Sequence, residues 1–197
     1  MTMFEVDGLG SAERAGSGVR VSAEVVHSYD LTVIAADVDG VVASAGGWLC
    51  DRVRAGWQVT VLVAAGADTG ALTVLGVRDE TLDSAAAALR RPTAAVAVDT
   101  RVLTHDDNAR TEVLRLLDSG RTEVTVWGTP SPVTSELLSD ARFDTVCHRA
   151  SAAARAFKAG ALRTCGHDAT GPSVETFISA GLWYPPDGGD LVPVSGT

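Results

Sequence analysis

The sequence predicts an α/β fold: a Rossmann-like, three-layer domain with helices on both faces of a central, mostly parallel sheet. Three observations carry this expectation. Short apolar, β-branched runs recur at residues 31–36, 58–63, 94–98 and 123–127. The segments between them show helical spacing or helix-start chemistry. The first strand, helix and second strand fit within about thirty residues, the size of one βαβ unit.

The elements follow in order. Residues 1–30 hold Gly8, Gly10, Gly16 and Gly18 with little apolar periodicity, and read as a lead-in or an edge hairpin with 19–26. Leu31-Thr32-Val33-Ile34-Ala35-Ala36 reads as a strand buried on both faces. Residues 37–45 read as the following loop, and 46–56 as a helix with Leu49 and Val53 inward, Arg52 and Arg54 outward, and Gly56 as a left-handed stop. A second strand covers 58–63. Further helices are expected at 80–91, 109–117, 133–138 behind Pro132, and 150–158, with strands at 94–98 and 123–127. From Gly181 the chain is rich in proline and glycine and is expected to be irregular. The expected organisation is thus a 1–30 lead-in, a 31–180 α/β domain and a 181–197 tail.

Composition narrows the function classes. With 197 residues the chain is one domain or a domain with an appendage. Hydrophobic residues at 46% and charged residues at 21% are enough for a sizeable core. The net charge is −9 and Lys158 is the sole lysine, which argues against a nucleic-acid partner, because phosphate binding needs clustered cations. Cys50, Cys147 and Cys165 are widely spaced with no C-x-x-C pair, so no disulfide framework or zinc knuckle is expected. The start has no cationic region followed by an apolar one, and no run approaches the length of a membrane span. A cytoplasmic protein follows from this, with a small polar molecule or a protein as partner and homo-oligomers possible.

In an open α/β sheet, ligands bind outside the carboxyl ends of the strands. The chain there reads Ala36-Asp37-Val38-Asp39-Gly40-Val41. Carboxylates at i and i+2 beside glycine can converge on one cation, or one can act as nucleophile while the other moves protons. The same aspartates serve equally well to cap the next helix.

Residues 31–66 resemble the opening of the zinc-dependent N-deacetylases called PIG-L or LmbE-like. Those open with an apolar strand, then A-H-P-D-D-E, small residues ending Gly-Gly, an amphipathic helix closed by Gly, and a strand leading to T-D-G. Here Gly46-Gly47, the helix with Leu49 and Gly56, Val59-Thr60-Val61-Leu62-Val63 and Asp68-Thr69-Gly70 fall into place. The metal motif departs from the pattern: the first zinc ligand falls on Asp37, the general base on Asp39, the second ligand on Gly40 and the glutamate on Val41. A distal histidine near the end of an H-P-D-H sequence completes the family's site, and Thr145-Val146-Cys147-His148 is the segment that best resembles it. The resemblance therefore implies Asp37 and His148 as the remaining metal ligands and Asp39 as catalytic base. A catalytic zinc uses three protein ligands and a water, and two would hold it weakly. The resemblance thus implies a degenerate, catalytically impaired homologue, a pseudoenzyme acting in binding or assembly, with zinc not expected at full occupancy. The alternative it implies is an amidohydrolase acting on an N-acetyl sugar-like substrate.

Val33–Val42 also resembles the first motif of haloacid-dehalogenase-type phosphatases, an apolar strand followed by D-x-D-G-V. That resemblance would make Asp37 the nucleophile, Asp39 the acid/base, Thr129 the hydroxyl residue and Lys158 the cation. His105-Asp106-Asp107-Asn108 reads as a helix cap. His27 is expected on an edge strand, and His167-Asp168 in a loop. Trp48, Trp57 and Trp127 read as packing, and Trp183-Tyr184-Pro185-Pro186 as a lid or partner contact.

Overall fold

The computed structural model describes residues 29–168, 171–181 and 190–194. The expected lead-in, including His27, and the Trp183–Pro186 contact lie outside the described residues.

Strand β1 (Asp30–Ile34) leads to helix α1 (Val38–Arg54) and strand β2 (Gln58–Val63). Then come α2 (Gly70–Leu75), β3 (Arg78–Thr81), α3 (Ala85–Leu89) and β4 (Ala95–Asp99). They are followed by α4 (Thr100–His105), α5 (Asp107–Ser119), β5 (Glu123–Trp127) and α6 (Pro132–Leu138). The last elements are β6 (Asp144–Arg149), α7 (Ala152–Thr164), β7 (Val174–Ala180) and β8 (Val192–Pro193).

Among the described residues these strands form one sheet of order β3-β2-β1-β4-β5-β7-β6-β8. The first five run parallel; β7 pairs antiparallel with β5, and β6 antiparallel with both β7 and β8. One apolar layer joins the sheet to α1, α2 and α7 through Val41, Trp48, Leu72 and Ala161. The other joins it to α3, α4, α5 and α6 through Leu89, Leu103, Val113 and Leu137. This is the expected three-layer α/β architecture. Among the described residues no helix is long and apolar enough to cross a membrane.

Helix α1 differs from the expectation in a way that matters for the site. It starts at Val38, so residues 38–45 are helical and Gly46-Gly47 sit in its middle. The buried positions Val38, Val41, Val42, Ala45, Trp48 and Leu49 follow helical spacing from the first turn. Two mid-helix glycines cost about 1 kcal/mol each relative to alanine, and close approach explains Gly47. A Cβ at Gly47 would lie 2.8 Å from Ala150 Cβ and 3.1 Å from Glu175 Oε1. The absent side chain lets a buried ion pair reach the helix backbone. Glu175 accepts from the N–H groups of Gly47 (2.8 Å) and Trp48 (2.7 Å), and Lys158 Nζ donates to Glu175 Oε1 and to the Ala43 carbonyl, both at 2.6 Å.

Arg52, expected to face outward, is buried instead. It stacks on Trp57 and Trp48, with its guanidinium carbon 4.0 and 4.9 Å from their ring centroids, and pairs with Glu123 at 2.9 Å. It also bonds Asp190, whose other partner is Trp48 Nε1 at 2.7 Å. The segment after Gly181, expected to be irregular, contributes this anchoring aspartate and the two-residue strand β8. The polar run 78–81 pairs with β2 as an exposed edge strand, and its last two residues fall where the helix 80–91 was expected to begin. There the ladder to β2 outweighs the local helical pattern.

Candidate functional site

The carboxyl ends of β1, β2, β4 and β5 surround a cleft of about 820 Å³. It begins with the turn out of β1. Asp37 has extended backbone (φ −157°, ψ 166°), and its Oδ1 accepts from Gly40 N–H at 2.6 Å. This is an N-cap satisfying one of the open donors of the first turn. Asp39 therefore lies in the first helical turn rather than on a loop, and both aspartates line the cleft.

The neighbouring strand supplies the cation. Asp99 ends β4, is 1% exposed and caps α4 by accepting from Arg101 N–H at 2.8 Å. The Arg101 side chain folds back over its own cap. Nε lies 3.1 Å from both Asp99 carboxylate oxygens and Nη2 donates to Oδ2 at 2.7 Å, while Nη1 bonds Asp37 Oδ2. One guanidinium thus ties together the ends of two adjacent central strands. Burial would raise the Asp37 carboxyl, but the Arg101 bond and the Gly40 N–H outweigh it and hold it below the usual carboxylate range. The two aspartates in turn push the Arg101 pKa further up.

A Cβ placed on Gly40 would overlap Arg101 Nη2 and sit 2.9 Å from Asp37 Oδ1. The position matched to the family's second aspartate ligand is therefore bare, and the guanidinium fills the space beside it.

At the cleft rim, Asp39 Oδ2 lies 3.1 Å from His167 Nε2. Cys165 adjoins Asp39, but burial first, then Asp39 and Asp68, push its thiol up to about 11. Cysteine, histidine and aspartate are neighbours here without an activated nucleophile, since only the thiolate attacks.

Two expected partners are elsewhere. His148 does not join Asp37. Residues 144–149 are a strand rather than a loop crossing the sheet ends, which turns the imidazole toward the far end of α1. There Nδ1 lies 2.7 Å from the Asp190 carbonyl and Nε2 3.0 Å from Asp51 Oδ2. Lys158 does not approach Asp37 either, because Glu175 and the Ala43 carbonyl hold it inside the core. Thr129 does line the cleft. The aspartate of His105-Asp106-Asp107-Asn108 caps α5, Asp106 accepting from Ala109 N–H at 2.9 Å. Sequence reasoning missed Asp99, Arg101 and the cleft-lining role of Trp127. The strand-end rule that singled out Asp37 applies equally to Asp99-Thr100-Arg101 and to Trp127.

The residues present do not fit a catalytic zinc. Asp37 is committed to Gly40 and Arg101, Gly40 has no side chain, and His148 is bound to Asp51. Among the described residues no three His, Cys, Asp or Glu side chains form a group suited to a metal ion.

The chain superposes on a deacetylase–teicoplanin complex from the teicoplanin biosynthesis pathway with a TM-score of 0.51 and 12% identity, over 76% of this chain and 97% of that one. It superposes on an antimicrobial-reagent pseudoaglycone deacetylase with a TM-score of 0.50 and 13% identity, over 87% of this chain and all of that one (100%). The chain has the deacetylase fold. No protein-family profile matches it, and no curated protein sequence does so either. Within this deacetylase fold, the Asp37–Arg101–Asp99 bridge spans the ends of the two central strands β1 and β4.

One prediction arises from the relocated histidine. The Asp51 carboxylate accepts from Ser151 N–H at 2.9 Å, Ser151 Oγ at 2.7 Å and His148. Burial would raise its pKa, but these partners outweigh it and hold it below the ordinary value. A carboxyl depressed in the folded state contributes stability that is complete above its unfolded pKa, about 4, and lost as pH falls through the folded value. Asp51→Asn is therefore expected to cost about 1 kcal/mol at neutral pH and progressively less as pH falls below about 4. Urea unfolding as a function of pH checks this; a cost that does not change with pH would contradict it.

Proposed function

We propose that the chain is a divergent PIG-L/LmbE-like protein whose strand-end cleft binds a small polar molecule and does not carry out zinc-dependent amide hydrolysis. The observation that supports this is the Arg101 guanidinium between Asp37 and Asp99, beside the bare Gly40. A metal-dependent hydrolase needs an ion with an open coordination position to polarise a carbonyl and acidify water. A fixed guanidinium supplies positive charge to the same carboxylates with no exchangeable position and no bound water to ionise. Asp39, the expected base, is paired with His167 at the rim. Free Cys50, Cys147 and Cys165 suit a protein of the reducing cytoplasm.

Acetate release from N-acetylglucosamine, followed with and without added zinc, tests the reading. The expected rate equals that of a protein-free control in both conditions. Zinc-dependent turnover would establish an amidohydrolase in its place.

A further inference from the structure

The far end of α1, away from the cleft, faces a histidine whose two ring nitrogens both meet acceptors. His148 is 5% exposed; Nδ1 lies 2.7 Å from the Asp190 backbone carbonyl and Nε2 3.0 Å from Asp51 Oδ2. A carbonyl oxygen can only accept a hydrogen bond, and so can an ionised carboxylate. Asp51 is ionised: burial opposes its charge, but the Ser151 N–H, the Ser151 hydroxyl and His148 outweigh burial. Both contacts are hydrogen bonds only when each ring nitrogen carries a proton, so this is the geometry of an imidazolium.

Among the described residues the charged groups around the ring are Asp51 and Arg52 from α1, Glu175 from β7, the register partner of His148, and Asp190. Lys158 of α7 pairs with Glu175, and Arg52 pairs with both Glu123 and Asp190. Arg149, next on β6, is exposed. Asp51 is therefore the carboxylate left to the imidazolium. The Asp190 carbonyl belongs to segment 190–194, which lies against α1 and β6. Arg52 and Trp48 Nε1 hold the Asp190 carboxylate, Leu191 is 2% exposed within the apolar layer, and Val194 N–H donates to the Thr145 carbonyl at 3.0 Å. His148 is one of the clips that keep this segment in place.

We propose that His148 is a pH-sensitive latch on segment 190–194, closed while the ring is an imidazolium and loosened when it loses a proton. A neutral ring keeps one proton. A charge-assisted bond to a carboxylate is stronger than a bond to a neutral carbonyl, so that proton stays on Nε2 against Asp51. Bare Nδ1 then faces the Asp190 carbonyl, lone pair against lone pair, and it is the segment that gives way. The closed contacts favour the protonated ring, so the hold is complete on the acid side of the imidazole titration and is lost as pH rises through it.

Nitrogen-15 NMR of the His148 ring in the native full chain, assigned by through-bond correlation to its own backbone, counts the ring protons from about pH 5 to 9. Two are expected at the acid end, and the one lost as pH rises is expected to leave Nδ1. Over the same step the exchange protection of the Val194 amide is expected to fall about tenfold relative to amides of the buried strand β4, after correction for intrinsic base catalysis. In Asp51→Ala no carboxylate holds the proton on Nε2, the neutral ring keeps it on Nδ1, and Val194 protection is expected to stay level. A ring with the same proton count throughout, a neutral ring protonated on Nδ1, or Val194 protection that stays level in the native protein while the ring titrates would overturn the latch. An undiminished fall in Asp51→Ala would overturn it as well. The ring and exchange readings use the native protein, so they decide the matter even where the variant fails to fold.

Discussion

Glu175→Ala is expected to cost about 3–5 kcal/mol of folding stability, a large share of the roughly 5–15 kcal/mol available to a domain. Glu175 and Lys158 are both 2% exposed, and their 2.6 Å contact lies against the middle of α1. Removing the carboxylate leaves the ammonium buried with, among the described residues, the Ala43 carbonyl as its acceptor, and takes an acceptor from the Gly47 and Trp48 N–H groups. Most of the cost is the uncompensated charge, so removing both members should be milder than removing one. Lys158→Met with Glu175→Leu is expected to recover a substantial part of the loss. Urea unfolding of the two single variants and the double variant measures this. A loss below about 1 kcal/mol in Glu175→Ala would contradict a structural role for the pair.

The second large effect concerns Arg101→Ala, expected to cost about 1–2 kcal/mol. Charge-assisted hydrogen bonds contribute roughly 1.5–3 kcal/mol each, and the figure is discounted because the Arg101 side chain is half-exposed to screening solvent. The variant leaves Asp99 buried without its guanidinium and removes from Asp37 the cation that outweighs its burial. The Asp37 carboxyl is therefore expected to titrate higher than in the native protein. Carbon-detected NMR of the Asp37 side chain reads this directly, and an unmoved titration would show that the bridge is not formed in solution.

Much of the fold was legible because buried strands announce themselves. Residues 58–63 and 123–127 were bounded as observed, and the first and fourth strands to within a residue or two, since apolar runs covered on both faces have few alternatives. The edges were not legible. Arg78–Thr81 is polar and exposed, and Asp144–Arg149 mixes polar and apolar residues; both are strands because of the neighbours they pair with. Gly46-Gly47 misled in another way. Read as a helix boundary, the glycines are mid-helix positions, and the missing side chain of Gly47 admits Glu175 and Ala150. At the site, Asp37 and Asp39 followed from the strand-end rule, but Arg101 did not. A long side chain folding back across two strands leaves no spacing signal, and His148, matched on a few residues, lies on a strand that holds it against Asp51 away from the cleft.

If Arg101 takes the charge-balancing role of a metal in this cleft, as proposed, the native protein holds zinc weakly. The most direct measurement is elemental analysis of the native protein after equilibration with excess zinc and removal of free ion by buffer exchange without chelator. Well under stoichiometric zinc is expected. Stoichiometric zinc retained by the native protein and lost in Asp37→Ala would contradict it.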